Sequence, residues 1–162
     1  RQEQDSIGAK ILVRIEGLMP GIGSPVFSKL DAELAKSMMS VNAVKAVELG
    51  SGTKVVEMKG SENRDLINKD GFETNNSGGI LGGISNGDDI DIFVSLKPTS
   101  SISQSTKTID IENNEVDLQV KGRHDPCVGL RATPILEAMA AMCILDQILL
   151  DRGQCSNVDR DL

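Results

Sequence analysis

Apolar and polar residues alternate over residues 10–16, the period of a strand with one buried face. A Gly/Pro loop follows over residues 17–23. Val26, Phe27, Leu30, Leu34 and Met38 then recur every three to four positions, which predicts an amphipathic helix ending near Met39. Ser24-Pro25 offers that helix a cap and a first-turn proline, whose missing N–H would have had no partner there anyway. Residues 43–49 are apolar and β-branched enough for a strand, residues 54–58 for a weaker one, and the polar run 61–72 reads as loop. Residues 78–85 and 90–96 flank Asn86-Gly87-Asp88-Asp89, a turn sequence tolerant of positive φ, so a hairpin is expected there. A second hairpin is expected from residues 106–111 and 116–120 around Glu112-Asn113-Asn114-Glu115. Residues 135–150, announced by Thr133-Pro134, are apolar nearly all round, which predicts a helix buried between layers or at an interface. The order strand, helix, hairpins, helix predicts an α+β fold with mainly antiparallel sheets over residues 1–150, followed by a polar tail at 151–162.

Composition narrows the function. Hydrophobic residues make up 39% of the chain but aromatic ones only 2%, so the core must rest on Ile, Leu, Val, Met and Ala. A net charge of −7 argues against a general binder of nucleic acid or anionic membrane, because both partners repel a negative surface. The apolar run 135–150 is interrupted by Glu137, Asp146 and Gln147 and reads as too short and too polar to span a bilayer. One histidine and three scattered cysteines assemble no zinc ligand set and read as reduced thiols of a cytoplasmic protein. The opening Arg1-Gln2-Glu3-Gln4 has no initiator Met, which suggests a piece of something longer.

Three segments carry candidate chemistry. Lys97-Pro98-Thr99-Ser100-Ser101 offers one ammonium and three hydroxyls directly after a strand, the donor set a phosphate needs; a Ser/Thr-rich turn is the plainer alternative. Gly78-Gly79-Ile80-Leu81-Gly82-Gly83 marks a bulge, tight packing or the close approach of a flat ligand. Gly21-Ile22-Gly23 falls short of a dinucleotide fingerprint, since Val26 stands at the third glycine position. The sharpest is Arg123-His124-Asp125-Pro126, ahead of a helix start and with Arg131 close behind. It reads either as an anion-binding Arg beside a carboxylate positioned as a base, or as a surface salt-bridge loop.

Read together, DSIGAK at 5–10, PVFSKLDAELAKSMMSVNAVKAVE at 25–48, NRDLINKDGFETNNSGGILGGISNG at 63–87, KPTSSI at 97–102 and GRHDPCVGLRATPILEAMAAM at 122–142 resemble the C-terminal part of chorismate synthase. The resemblance implies a β-α-β sandwich with buried helices, assembled as a homotetramer, whose own N-terminal part carries two histidines and an Arg/Ser-Ser flavin segment. It implies 1,4-elimination of phosphate from 5-enolpyruvylshikimate 3-phosphate to give chorismate, with reduced FMN as cofactor. The reduced flavin would come from solution or from an NADPH-dependent activity of the same protein. Asn42, Ala43, Gly82, Lys97, Pro98, Thr99, Ser100, Ser101 and Arg123 would contact FMN, and Asp125 would match the aspartate that handles a proton near flavin N5. Ala46 departs from the family's usual Gly, and Asn76-Ser77 from its common His-Ala. The competing expectation is a non-catalytic structural or oligomerisation piece carrying an incomplete flavin site; an unrelated phosphate-binding module is the third.

Overall fold

The computed structural model describes residues 5–155. Its centre is β7 (Ile90–Leu96), flanked on both edges by antiparallel partners, β1 (Ala9–Ile15) and β2 (Val44–Leu49). β1 and β2 therefore run the same way with β7 between them, and α1 (Leu30–Met39) connects them in a split β-α-β unit. Along β7 every second residue is buried: Ile90, Ile92, Val94 and Leu96 face the helices. They meet Leu30, Leu34 and Met38 of α1, and Ala132, Leu136, Ala140 and Cys143 of α2 (Gly129–Cys155), in one apolar cluster. The other face of the sheet is polar. Arg14 clasps Asp91 through Nε–Oδ1 at 2.6 Å and Nη2–Oδ2 at 2.8 Å, and Lys10 bridges to Glu48 while lying 5.1 Å above the Phe93 ring. Hydrogen bonding from Lys10, then from Thr53, holds the Glu48 carboxyl down at about 2.

Several expectations change. The first helix begins at Leu30 rather than after Pro25, because Ser28 takes a left-handed φ of 56° and the Leu30 N–H is bonded to Gly83 O at 2.9 Å. Val26 and Phe27 are left outside it and exposed. The weak strand expected at 54–58 is a 3-10 helix over Gly52–Glu57, anchored where the Thr53 N–H and hydroxyl both donate to Glu48 Oε1. The expected hairpin across Asn86-Gly87-Asp88-Asp89 does not form, since both edges of β7 are taken. Instead β5 (Ile80–Leu81) turns through Gly82 and Gly83, φ 62° and 90°, into β6 (Ile84–Ser85). Two consecutive positive φ values suit a tight two-residue turn and favour glycine. The helix expected from Thr133-Pro134 starts earlier, at Gly129, and continues past Leu150 through Cys155, so the first residues of the expected polar tail are helical. Residues 156–162 lie outside the described residues.

Two small hairpins complete the chain. β3 (Ile67–Asn68) and β4 (Gly71–Phe72) interrupt the loop expected over 61–72. β8 (Thr106–Ile109) and β9 (Glu115–Leu118) form the second hairpin close to where the sequence places it, exposed along its whole length. The α+β class with antiparallel sheets stands: one three-stranded sheet packs against two helices, and three two-stranded hairpins accompany it. α2 buries a single stripe; Ile135, Met142, Leu145 and Leu149 are exposed on its outer side. By length and composition alone it is apolar enough to cross a membrane, beyond what residues 135–150 suggested.

The segment 74–79 depends on Asp65. Its carboxylate accepts the N–H groups of Asn76 and Ser77 and the Thr74 hydroxyl. The departure at Asn76 is structural too: its Oδ1 accepts the Ser51 hydroxyl at 2.9 Å. Burial pushes the Asp65 carboxyl up, but the hydrogen bonds from Ser77, Asn76 and Thr74 outweigh it and leave it below the ordinary value. A carboxyl lowered on folding stabilises fully above its unfolded value and loses that contribution as pH falls through the folded one. Asp65→Ala is therefore expected to destabilise the protein by about 1–3 kcal/mol at neutral pH, through the amides it leaves unpaired. Thermal unfolding across pH checks this: the gap between wild type and variant should narrow toward acid, and a pH-independent gap would contradict it.

Candidate functional site

The ends of all three central strands meet at one edge of the sheet. β7 finishes at Leu96, beside Val44 at the start of β2 and Ala9 at the start of β1. The Lys97 N–H continues the pairing to Ala43 O at 2.9 Å. Asn42 and Ala43 form the turn that brings α1 into β2, with Ala43 at a φ of 72°. Lys97 to Ser101 therefore begin next to Asn42 and Ala43, as the resemblance implies.

Two further segments are strapped across this end. The Ile7 N–H donates to Pro126 O at 2.8 Å, and Ile7 bridges Cys127. The Ser6 hydroxyl donates to Thr99 O at 2.6 Å, and the Thr99 hydroxyl donates to Asp125 O at 3.3 Å. Gly8 makes the crossing feasible: a Cβ there would stand 2.7 Å from Leu96 O. Residues 5–8, 97–101 and 123–127 thus form one unit, although no local signal in the sequence links them.

A cleft of about 300 Å³ opens in this unit, lined by Asp5, Ser6, Ile102, Ser103 and the run Gly122 to Pro126. Arg123 and Asp125 were expected there. His124 was noted with them but given no role; Asp5, Ser6, Ile102, Ser103 and Gly122 were not singled out, although their segments lie in or beside the stretches that carry the resemblance. Pro98, Thr99, Ser100 and Ser101 stand behind the cleft, held to it through Ser6, Asp125 and His124.

The charge pairing differs from the arrangement expected. Asp125 bonds Arg131, not Arg123: Arg131 Nε lies 2.7 Å from Asp125 Oδ2. Arg131 sits in the first turn of α2, and the extended Asp125-Pro126 segment turns the carboxylate toward it. Arg123 consequently makes no ion pair among the described residues and faces the cleft with a free guanidinium. Lys97, exposed at the end of β7, is likewise without an ion pair among the described residues.

Gly82 does not join this group. It sits in the β5–β6 turn, next to the first residue of α1 through the Gly83–Leu30 bond, whereas Asn42 and Ala43 follow the last. A ten-residue helix separates them, about 15 Å at 1.5 Å per residue. A Cβ on Gly82 would meet nothing within 4 Å, so within this chain its turn faces open space.

Known proteins share this fold. A crystal structure of chorismate synthase superposes with a TM-score of 0.74 and 28% sequence identity, over 94% of this chain and 40% of that one. The chain thus spans well under two thirds of that protein's length. The family model for chorismate synthase matches residues 1–149, which takes in every strand, both helices as far as Leu149 and the whole cleft; the chain belongs to the chorismate synthase family.

Proposed function

We propose that this chain supplies the flavin-side wall of an enzyme that converts 5-enolpyruvylshikimate 3-phosphate to chorismate by 1,4-elimination of phosphate, with reduced FMN as cofactor. The observation that carries this reading is the pair of cations Arg123 and Lys97, which make no ion pair among the described residues, with Ser100 close behind Lys97 in the same exposed segment. A phosphate-bearing flavin wants that donor set, since charge-assisted hydrogen bonds hold an anion best when the cation has no competing carboxylate. Asn42, Ala43 and Pro98 shape the backbone beside it.

Reduced FMN, when bound, supplies the electron density that helps the phosphate leave. The rest of the work is this chain's positioning and electrostatics. Lys97 and Arg123 anchor anionic oxygens. Arg131 holds Asp125 by Oδ2, which fixes the carboxylate and leaves Oδ1 to take up a proton. No side chain need act as a nucleophile. Gly82 serves this site only if the rest of the protein or a neighbouring subunit brings its turn to the cleft.

The enzyme's own N-terminal part and a homotetramer complete the assembly in this reading. The support is α2: Ile135, Ala138, Met142, Leu145 and Leu149 recur at alternating three- and four-residue steps and are all exposed. Such a seam is what a partner helix or sheet covers. The free thiols of Cys127, Cys143 and Cys155 suit a reducing cytoplasm.

Three outcomes follow for the full-length protein. Lys97→Ala should raise the FMN dissociation constant roughly tenfold or more, from the loss of about 1.5–3 kcal/mol of charge-assisted bonding. Flavin titration at fixed salt reads it, and an unchanged constant leaves Lys97 a solubilising residue. Met142→Asp should lower the thermal midpoint or break the assembly by several kcal/mol, as a charge placed in a covered apolar seam does. A midpoint and an assembly state that both stay put would mean the seam faces solvent.

Asp125→Asn should reduce kcat by about 10² to 10⁴, the range for loss of a general acid or base, with much smaller changes in FMN and substrate affinity. Arg131→Gln separates this from a structural salt bridge, because it breaks the same ion pair while keeping the carboxylate. If single-turnover chorismate formation at saturating reduced FMN is as fast in Asp125→Asn as in wild type, the catalytic role is lost. If Arg131→Gln matches Asp125→Asn in rate and in thermal midpoint, the pair is structural and the carboxylate does not act in the chemical step.

A further inference from the structure

His124 is the chain's single histidine, and its ring is held at one nitrogen only. Nδ1 lies 3.2 Å from the Ser101 hydroxyl oxygen. Nε2 is buried, yet it has no hydrogen-bond partner among the described residues. A buried polar atom without a partner forfeits its bond to water and gains nothing in return, which is why such atoms are rare. His124 also lines the cleft of about 300 Å³ between Arg123 and Asp125. Gly122, with a φ of 151°, borders that nitrogen: a Cβ there would lie 3.6 Å from Nε2 and 3.8 Å from Cε1 and would add to its cover.

We propose that His124 Nε2 donates a hydrogen bond to an anionic oxygen of the ligand in this cleft, beside Arg123, and that Ser101 is the residue that positions the ring. The proposal rests on the cleft being the ligand site of the function above. With the Ser101 hydroxyl donating to Nδ1, the neutral ring carries its proton on Nε2, and the imidazolium carries one there too. In both forms Nε2 is a donor. Asp125 would otherwise claim a neighbouring cation, but Arg131 already holds its Oδ2 at 2.7 Å, so Arg123 is not paired with that carboxylate and lines the cleft beside His124 as a second donor. The ligand chemistry is a phosphate or carboxylate oxygen. Both FMN and the phosphorylated substrate carry one, and binding measurements tell them apart.

The experiment uses the full-length protein with His124→Phe, His124→Gln and Ser101→Ala. Phenylalanine keeps the ring's bulk and removes the nitrogen; glutamine returns an N–H near Nε2. FMN dissociation constants and substrate KM values are measured for each. The expected result is a roughly tenfold rise in one of these constants for His124→Phe, most of it restored in His124→Gln, and a smaller rise in the same constant for Ser101→Ala. The constant that moves identifies which molecule owns the oxygen. If both constants stay within twofold of wild type in His124→Phe, the proposal is overturned. Should the Phe variant fail to fold, Ser101→Ala decides, since a ring released from its hydroxyl must weaken the same constant, and no change in it also overturns the proposal. A wild-type protein that binds neither FMN nor substrate would sink the functional reading by itself. In that case titration with inorganic phosphate decides this proposal separately: a shifted His124 Cε1–H NMR signal supports it, and a stationary signal overturns it.

Discussion

Everything in this chain hangs on β7 being paired along both edges with one face dry. Its alternate residues Ile90, Ile92, Val94 and Leu96 reach the helices, and its two antiparallel ladders fix β1 and β2 in register. A slip of one residue would turn that whole apolar set toward the polar face of Arg14, Asp91 and Phe93, so the register is strongly specified. Because the register is fixed, the strand ends are fixed. Leu96, Val44 and Ala9 arrive together, and the segments that leave them have only one place to go. The cleft is a consequence of where the central strand stops.

At that edge the chain distributes its charges by distance along α2 rather than by proximity in sequence. Arg123 is two residues from Asp125, but Arg131, in the first turn of the helix, takes the carboxylate at 2.7 Å. The pair is partly exposed and its contribution to stability is modest. Its effect on the cleft is larger. It removes the carboxylate's competition for Arg123 and orients Asp125 with one oxygen engaged and one open. On the far face Arg14 pairs with Asp91 and Lys10 with Glu48.

Elements with a strict period were legible in the sequence. The alternation over β1, the Leu30–Leu34–Met38 stripe and the β8–β9 hairpin are set by local pattern, and the structure keeps them. Where long-range bonds override local preference, the sequence misleads. Ser24-Pro25 is a sound helix start, yet Gly83 O, over fifty residues on, caps Leu30 instead. Asn86-Gly87 is a sound turn, yet the strand beyond it is already paired twice, so Gly82-Gly83 makes the turn. Of the site, the Arg123–Asp125 run and Lys97–Ser101 were visible as clusters of donors and charge. Ser6 and Asp5 were not, because a lone Ser or Asp in a polar stretch carries no period and no cluster. Only the strap from Ile7 to Pro126 makes them part of the cleft.

α2 shows the same limit from the other side. A run that is apolar all round says that the helix will be covered, but not by what. Within this chain, Leu136, Ala140 and Cys143 face α1 and the sheet while Met142, Leu145 and Leu149 face outward. A net charge of −7 makes copies of the chain repel one another, and that repulsion is weakest where no charge interrupts the surface. The outer seam of α2 is such a place, with Glu137 and Asp146 the only acids on its flanks between Ile135 and Leu150. The helix whose first turn holds Asp125 through Arg131 is therefore the same helix that offers its outer face for burial.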